Sequence, residues 1–167
     1  MYDEAATRAA TLQQLTFTLA DEEYAVDILV VREIRGWSHV TRIPQAPDYV
    51  LGVLNLRGAI VPVMDLRLRF GLVRESYGDT TVMIIVAIGA RLFGIVVDAV
   101  SDVIDIDMAA IRPVPDLGAV VDTRYLKGLA THEGSMVMLL DVEKLMRPED
   151  AEMLDAALPA VGNVEIA

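Results

Sequence analysis

The sequence predicts a mainly β protein built from a duplicated unit, giving two similar small barrels that share a core. Three observations carry this reading. Apolar and polar residues alternate along Leu15, Thr16, Phe17, Thr18 and Leu19, and Val and Ile dominate Tyr24 to Ile34 and Thr81 to Ile88. Proline and glycine punctuate these runs at short intervals, at Pro44, Pro47, Gly58, Gly78, Gly89, Pro113 and Pro115. The two halves also resemble each other. Tyr24-Ala25-Val26 matches Phe93-Gly94-Ile95, Val31, Glu33 and Ile34 match Val100, Asp102 and Val103, and Ile43-Pro44 matches Val114-Pro115. Tyr49, Gly52, Gly58, Val61 and Asp65 match Tyr125, Gly128, Gly134, Val137 and Asp141, so the offset grows from 69 through 71 to 76 as loops lengthen.

The elements follow in order. Residues 1–13 read as a flexible N-terminus, with the β pattern established by Leu15. A turn at Ala20-Asp21-Glu22-Glu23 leads to a strand over Tyr24 to Ile34. The prolines at 44 and 47 break the pattern, and a helical turn is expected at Asp48 to Leu51. Asn55 to Gly58 is a turn, and Ile60 to Asp65 a strand whose Pro62 predicts an edge or bulged position. Thr81 to Ile88 and Leu92 to Val97 form a hairpin about Gly89-Ala90, followed by strands at Val100 to Ile106 and Met136 to Leu140. Pro148 opens a C-terminal helix over 148–159 with Ala151, Leu154 and Leu158 on one face, and 160–167 is a tail. The boundaries expected are a domain at 14–147, with the first barrel near 14–76, the second near 79–146, and strands shared between them. Either unit alone is marginal in size, so their interface belongs to the core.

Composition narrows the function. Fourteen basic and 25 acidic side chains give a net charge of −11, a surface that repels nucleic acid and anionic lipid and points to protein partners. There is no cysteine, hence no disulfide framework or thiolate chemistry. The longest apolar run, Val82 to Ile88, falls well short of the roughly 20 residues of a spanning helix. His39 and His132 lie in separate turns without ligand-spaced neighbours. Asp98, Asp102, Asp105 and Asp107 alternate with Val and Ile as on the wet face of a strand, without the glycine turn of a calcium loop. Asp65 and Asp141 sit at strand ends, where capping explains them. No nucleotide loop is present, and neither catalytic, metal nor cofactor residues are assigned. Arg57 stands out as a single positive charge on a turn inside an apolar stretch, and needs a carboxylate partner such as Glu33 or Asp27. A structural ion pair and an arginine presented to a partner protein are both open readings.

The residues that complete the picture are Tyr24-Ala25-Val26-Asp27-Ile28 leading into Val31-Arg32-Glu33-Ile34, then Ile43-Pro44 and Pro47. Gly52 to Gly58 (Gly-Val-Leu-Asn-Leu-Arg-Gly) and Ile60 to Leu66 (Ile-Val-Pro-Val-Met-Asp-Leu) follow, then Gly94 to Asp98, Val100 to Val103 and Tyr125 to Leu129. From about Gln14 to Met146 the chain resembles the CheW-type chemotaxis coupling proteins. The resemblance implies two interlocked five-stranded SH3-like β-barrels with a short connecting helix and a C-terminal helix. It implies a non-catalytic, cofactor-free adaptor, monomeric alone and part of a large array. This adaptor would couple the cytoplasmic tip of methyl-accepting chemoreceptors to the regulatory domain of a CheA-type histidine kinase, in the cytoplasm at the inner face of the membrane. Carried over by position, the receptor-facing groove involves Ile28, Val31, Glu33, Gly52, Arg57, Gly94 and Val103. The kinase contacts involve Arg57 on the first barrel, and Arg112, Asp116 and Leu117. Family members carry an aromatic residue where this sequence has Leu117. The rival of a different class is a small β-barrel enzyme or carbohydrate-binding domain, which requires a concave site with convergent polar groups.

Overall fold

The structure, a computed structural model, describes residues 11–73, 76–115 and 123–156. Ten strands run in chain order: β1 (Thr11–Leu19), β2 (Glu22–Asp27), β3 (Val31–Gly36), β4 (Val50–Leu56), β5 (Ala59–Asp65), β6 (Val82–Ile88), β7 (Arg91–Val97), β8 (Ala99–Asp107), β9 (Leu126–His132) and β10 (Ser135–Leu140). They form two five-stranded sheets ordered β8-β1-β2-β10-β9 and β3-β6-β7-β5-β4. Each curls into an SH3-like barrel, here barrel I and barrel II. Neither barrel is built from one half of the sequence. Each takes a hairpin from one half and three strands from the other, so the strands are shared and the sequence boundaries near 76 and 79 do not divide the barrels.

Local chemistry sets the hairpins. Ala20 and Asp21, Arg57 and Gly58, and Glu133 and Gly134 all have positive φ at the tips of two-residue turns, the pattern of type I′. Gly89 alone is positive at the β6–β7 tip. The run from Tyr24 to Ile34 is not one strand. Asp27 ends β2 by accepting the Leu29 N–H at 2.9 Å, and a 3₁₀ turn at Ile28–Val30 passes the chain from barrel I to barrel II. At the matching point in the second half, Asp98 passes it back.

Three further expectations are corrected. β1 begins at Thr11, inside the segment expected to be flexible, because Thr11 to Gln14 pair with Asp107 to Ile104. Asp48 to Leu51 is not helical, since β4 starts at Val50. The short helix is instead α1 (Leu66–Arg69), capped by Asp65 through the Arg67 N–H at 2.9 Å. Pro62 lies on an interior strand. Its partner Val53 spends both backbone groups on Thr41, at 2.9 and 2.7 Å, so Val53 and Pro62 face each other without hydrogen bonds. The imide nitrogen of Pro62 therefore points away from β4, at the residue before the β5–β7 ladder begins at Val63.

The duplication is real in three dimensions. Thr41 bridges Val53 as Arg112 bridges Leu129. The Asp65 N–H donates to the Tyr49 carbonyl and the Asp141 N–H to the Tyr125 carbonyl, both at 2.8 Å. The largest apolar cluster lies between the barrels, where hairpin β1–β2 packs against β6–β7. Leu15, Phe17, Tyr24 and Val26 meet their equivalents Ile84, Val86, Phe93 and Ile95 there. Smaller clusters fill the barrel interiors, with Ile104, Ile106 and Val137 in one and Val61, Val63, Met83 and Ile85 in the other.

Residues 148–156 form α2, the C-terminal helix, which straps barrel I to barrel II. Leu154 is buried in the central cluster, and Asp155 grips Arg91 of β7 with two bonds at 2.7 and 2.6 Å. The buried Asp150 accepts from the Tyr49 hydroxyl and from Arg147. Leu158 of the expected apolar face lies outside the described residues. Beside the strap, the Arg69 guanidinium sits between the equivalent rings of Tyr49 and Tyr125, 4.5 and 4.6 Å from their centroids, and donates to the Leu145 carbonyl.

Candidate functional site

The seven residues assigned to the receptor-facing groove fall into three groups. Ile28, Val31 and Val103 rim the face between the barrels. Val31 stands opposite Val86 and Val103 opposite Leu15, two members of the central cluster, so their side chains share its face. At the strand edges that face opens to solvent, and Val103 is 43% exposed. Two residues that the assignment omitted belong to the same rim: Ile34, 45% exposed and opposite Ile84, and Leu29, 76% exposed on the 3₁₀ turn. The duplication matches Ile34 to Val103, so the signal for Ile34 was present in the sequence.

Glu33 and Arg57 form the second group. Their side chains meet at 2.8 Å, and Arg35 approaches the other Glu33 oxygen at 3.3 Å. β3 and β4 are the two edges of one sheet, so this pair joins the open edges of barrel II. The hydrogen bond from Arg57 holds the Glu33 carboxyl below its ordinary pKa and raises that of the guanidinium. Of the two carboxylates expected for Arg57, Glu33 is the partner, and Asp27 caps a turn. The Arg57 side chain nevertheless remains 73% exposed.

Gly52 and Gly94 are buried and have no side chain to present. A Cβ on Gly52 would stand 2.1 Å from the Thr41 carbonyl oxygen, and one on Gly94 would crowd Val63 and Ile85 at 3.2 and 3.3 Å. Both hold backbone in place beneath the surface. A Cβ on Gly128, the equivalent of Gly52, would likewise stand 2.8 Å from the Arg112 carbonyl oxygen. Arg112 itself is exposed, its guanidinium donating to the Ala109 carbonyl at 2.7 Å. Asp116 and Leu117 lie outside the described residues.

Two clefts exist. One, of about 380 Å³, is lined by Trp37, His39, Arg42 and Asp48 among others. The second, of about 300 Å³, holds Asp65, Arg67, Tyr77 and Asp98. Its polar groups are committed to each other: Tyr77 donates to Asp65 at 2.5 Å, and Arg67 forks onto Asp98 at 2.8 and 2.5 Å. Burial raises the Asp98 pKa, but the Arg67 fork and the Ala20 N–H outweigh it and the carboxyl is lowered overall. Among the described residues no group of three His, Cys, Asp or Glu converges to hold a metal.

This geometry defines a class: a double β-barrel whose partly exposed apolar rim lies beside an ion pair. A family model described as CheW-like domain matches residues 13–150. The chain is 48% identical over 141 residues to "Chemotaxis protein CheW" of Klebsiella aerogenes, covering 84% of this chain and 85% of that one. It is 37% identical over 138 residues to the protein of the same name from Rhizobium meliloti, covering 83% and 89%. The crystal structure of scaffolding protein TtCheW from Thermoanaerobacter tengcongensis superposes with a TM-score of 0.77 at 34% identity, over 83% of this chain and 94% of that chain. The chain belongs to the CheW-like domain family. These relatives are named as chemotaxis or scaffolding proteins, not as enzymes.

Proposed function

We propose that this chain is a non-enzymatic chemotaxis adaptor that couples methyl-accepting chemoreceptors to a CheA-type histidine kinase within an array. The observation that carries this reading is the apolar rim between the barrels, where Ile34 and Val103 are exposed and Ile28 and Val31 lie half-buried against the central cluster. A helical hairpin tip suits such a groove, because it offers apolar side chains at helical spacing. The Glu33–Arg57 pair flanks the groove and suits orientation of the guest. The kinase regulatory domain would take the exposed face of Arg57 on barrel II and the region of Arg112, Asp116 and Leu117. No helix among the described residues is long and apolar enough to cross a membrane, in keeping with a cytoplasmic protein recruited to the membrane through its receptors. The test is co-sedimentation with chemoreceptor-containing membranes, with and without the kinase. The protein should pellet with receptors and raise the kinase recovered with them. Sedimentation equal to that on receptor-free membranes would sink the reading.

A further inference from the structure

The two clefts differ in what their polar groups do. In the cleft around Asp98, the polar ends of Asp65, Arg67, Tyr77 and Asp98 are spent on each other. The larger cleft lies in the β3–β4 connection, and its corners are pinned through the backbone. The Trp37 N–H donates to the Thr81 carbonyl at 3.1 Å, and the indole ring centre lies 4.2 Å from that of Tyr77. Arg42 follows Thr41, which is bonded both ways to Val53, and a Cβ on Gly52 would stand 3.2 Å from the Arg42 Cα. Asp48 stands in a turn closed by the Val50 N–H on the Pro47 carbonyl at 2.9 Å. Between Arg42 and Asp48, Gln45 holds φ 63°, a left-handed conformation that a side chain disfavours. Yet the side chains of Arg42, Gln45 and Asp48 bond to no described residue, and neither does the Trp37 indole N–H. Arg42 and Asp48 line the same cleft and form no ion pair with each other. The fold does not require these residues, because at the equivalent positions barrel I has Ile106, Pro113 and Arg124.

We infer that this cleft binds a free α-amino acid with an aromatic or large apolar side chain. The Arg42 guanidinium takes the carboxylate with its planar fork, and the Asp48 carboxylate takes the ammonium. The wall of Trp37, Val40 and Leu51 takes the side chain. Two unpaired charges of opposite sign on one cleft suit a ligand that carries both. A simple anion would face Asp48, and a simple cation would face Arg42. A volume of about 380 Å³ is of the size that holds small molecules. Because backbone bonds already fix the corners, little ordering is left for binding to impose. The cleft shares no residue with the apolar rim or with the Glu33–Arg57 pair, so this inference stands apart from the adaptor reading.

Trp37 is the only tryptophan of the chain, so its fluorescence reports on the cleft directly. The protein is titrated with phenylalanine, with phenylpropanoate, which lacks the ammonium, and with phenylethylamine, which lacks the carboxylate. Phenylalanine should change the Trp37 emission saturably, and each analogue should bind at least about tenfold more weakly. Arg42→Gln should weaken phenylalanine about tenfold and leave phenylethylamine as it was. Asp48→Asn should weaken phenylalanine alike and leave phenylpropanoate as it was. Both variants should melt like the parent, since neither side chain has a bond to lose. A parent that phenylalanine does not perturb overturns the proposal. Equal affinity for the three compounds does so too, because the cleft is then only an apolar patch, and that comparison needs no variant to fold. A phenylalanine affinity unmoved by either variant also overturns it. If the kinase regulatory domain shifts the Trp37 emission and phenylalanine does not, the cleft is a protein contact, and the inference falls while the adaptor reading stands.

Discussion

At the scale of single residues, the turn at 57 and 58 shows a conflict between local preference and use. A type I′ turn favours Asn, Asp or Gly at its first position, yet Arg57 occupies it at φ 51°. Its carboxylate partner and exposed face explain why an arginine is held there. Arg57→Ala and Arg57→Lys should therefore shift the melting temperature little, and both should weaken receptor or kinase binding, with lysine rescuing poorly because it lacks the planar fork. Normal binding to both partners by both variants would make Arg57 a bystander. Gly52 is the opposite case. Gly52→Ala puts a methyl group into the Thr41 carbonyl, and should destabilise by about 2 kcal/mol or more, as overpacking does. Any loss of binding in that variant should follow the unfolded fraction measured by denaturant titration. Sequence reasoning found both residues but gave them one role. A turn arginine is legible because local spacing exposes it, whereas the burial of a strand glycine depends on a distant carbonyl.

At the scale of elements, the strap α2 and the crossover at Ile28–Val30 differ in how far they could be read. Pro148 and the spacing of Ala151 and Leu154 announce the helix, but the buried Asp150 breaks that pattern and depends on Tyr49, 101 residues away. The crossover was missed because the turn itself, Ile28-Leu29-Val30, is made of branched apolar residues that read as a continuation of the strand. Only the cap supplied by Asp27 marks the change of sheet. Leu154→Ala should cost about 3 kcal/mol, the usual range for an emptied core site, read as a lower denaturation midpoint. The strap also has a pH signature. Burial first, and then the bond to Asp150, push the Tyr49 phenol up to about 12, and burial chiefly does the same for Tyr24. Unfolded tyrosine ionises near 10, so their contribution to stability is complete below about pH 10 and is lost as pH rises towards 12. Ultraviolet titration should show late phenolate absorbance from these two residues. Asp150→Asn should bring part of it to lower pH.

For the whole molecule, acid stability turns on contacts that join distant strands. The lowered carboxyl of Asp98 links α1, the β1–β2 turn and the β7–β8 crossover through Arg67 and Ala20. A lowered carboxyl stabilises above its unfolded pKa, near 4, and that contribution is lost as pH falls through the folded value. Melting temperature should therefore fall below about pH 4, and less steeply in Asp98→Asn. The duplication and barrel class were legible in the sequence through repeated Tyr, Gly and Asp positions. The pairing of each hairpin with the opposite half was not, because a repeat shows what is equivalent and not what touches. That exchange has a mechanical consequence. Cutting the chain between β5 and β6 would leave two fragments in the relation of a domain-swapped homodimer, each finishing the other's barrel. Separating the sequence halves would have to break the β1–β8, β2–β10, β3–β6 and β5–β7 ladders inside the two barrels, whereas the barrels themselves are joined by the crossovers at Ile28–Val30 and Asp98 and by the apolar cluster between them. Tension between partners pulling on opposite barrels therefore falls on two covalent crossovers, on the apolar face between the barrels and on the Asp155–Arg91 grip of the strap, while the ladders inside each barrel are left unloaded.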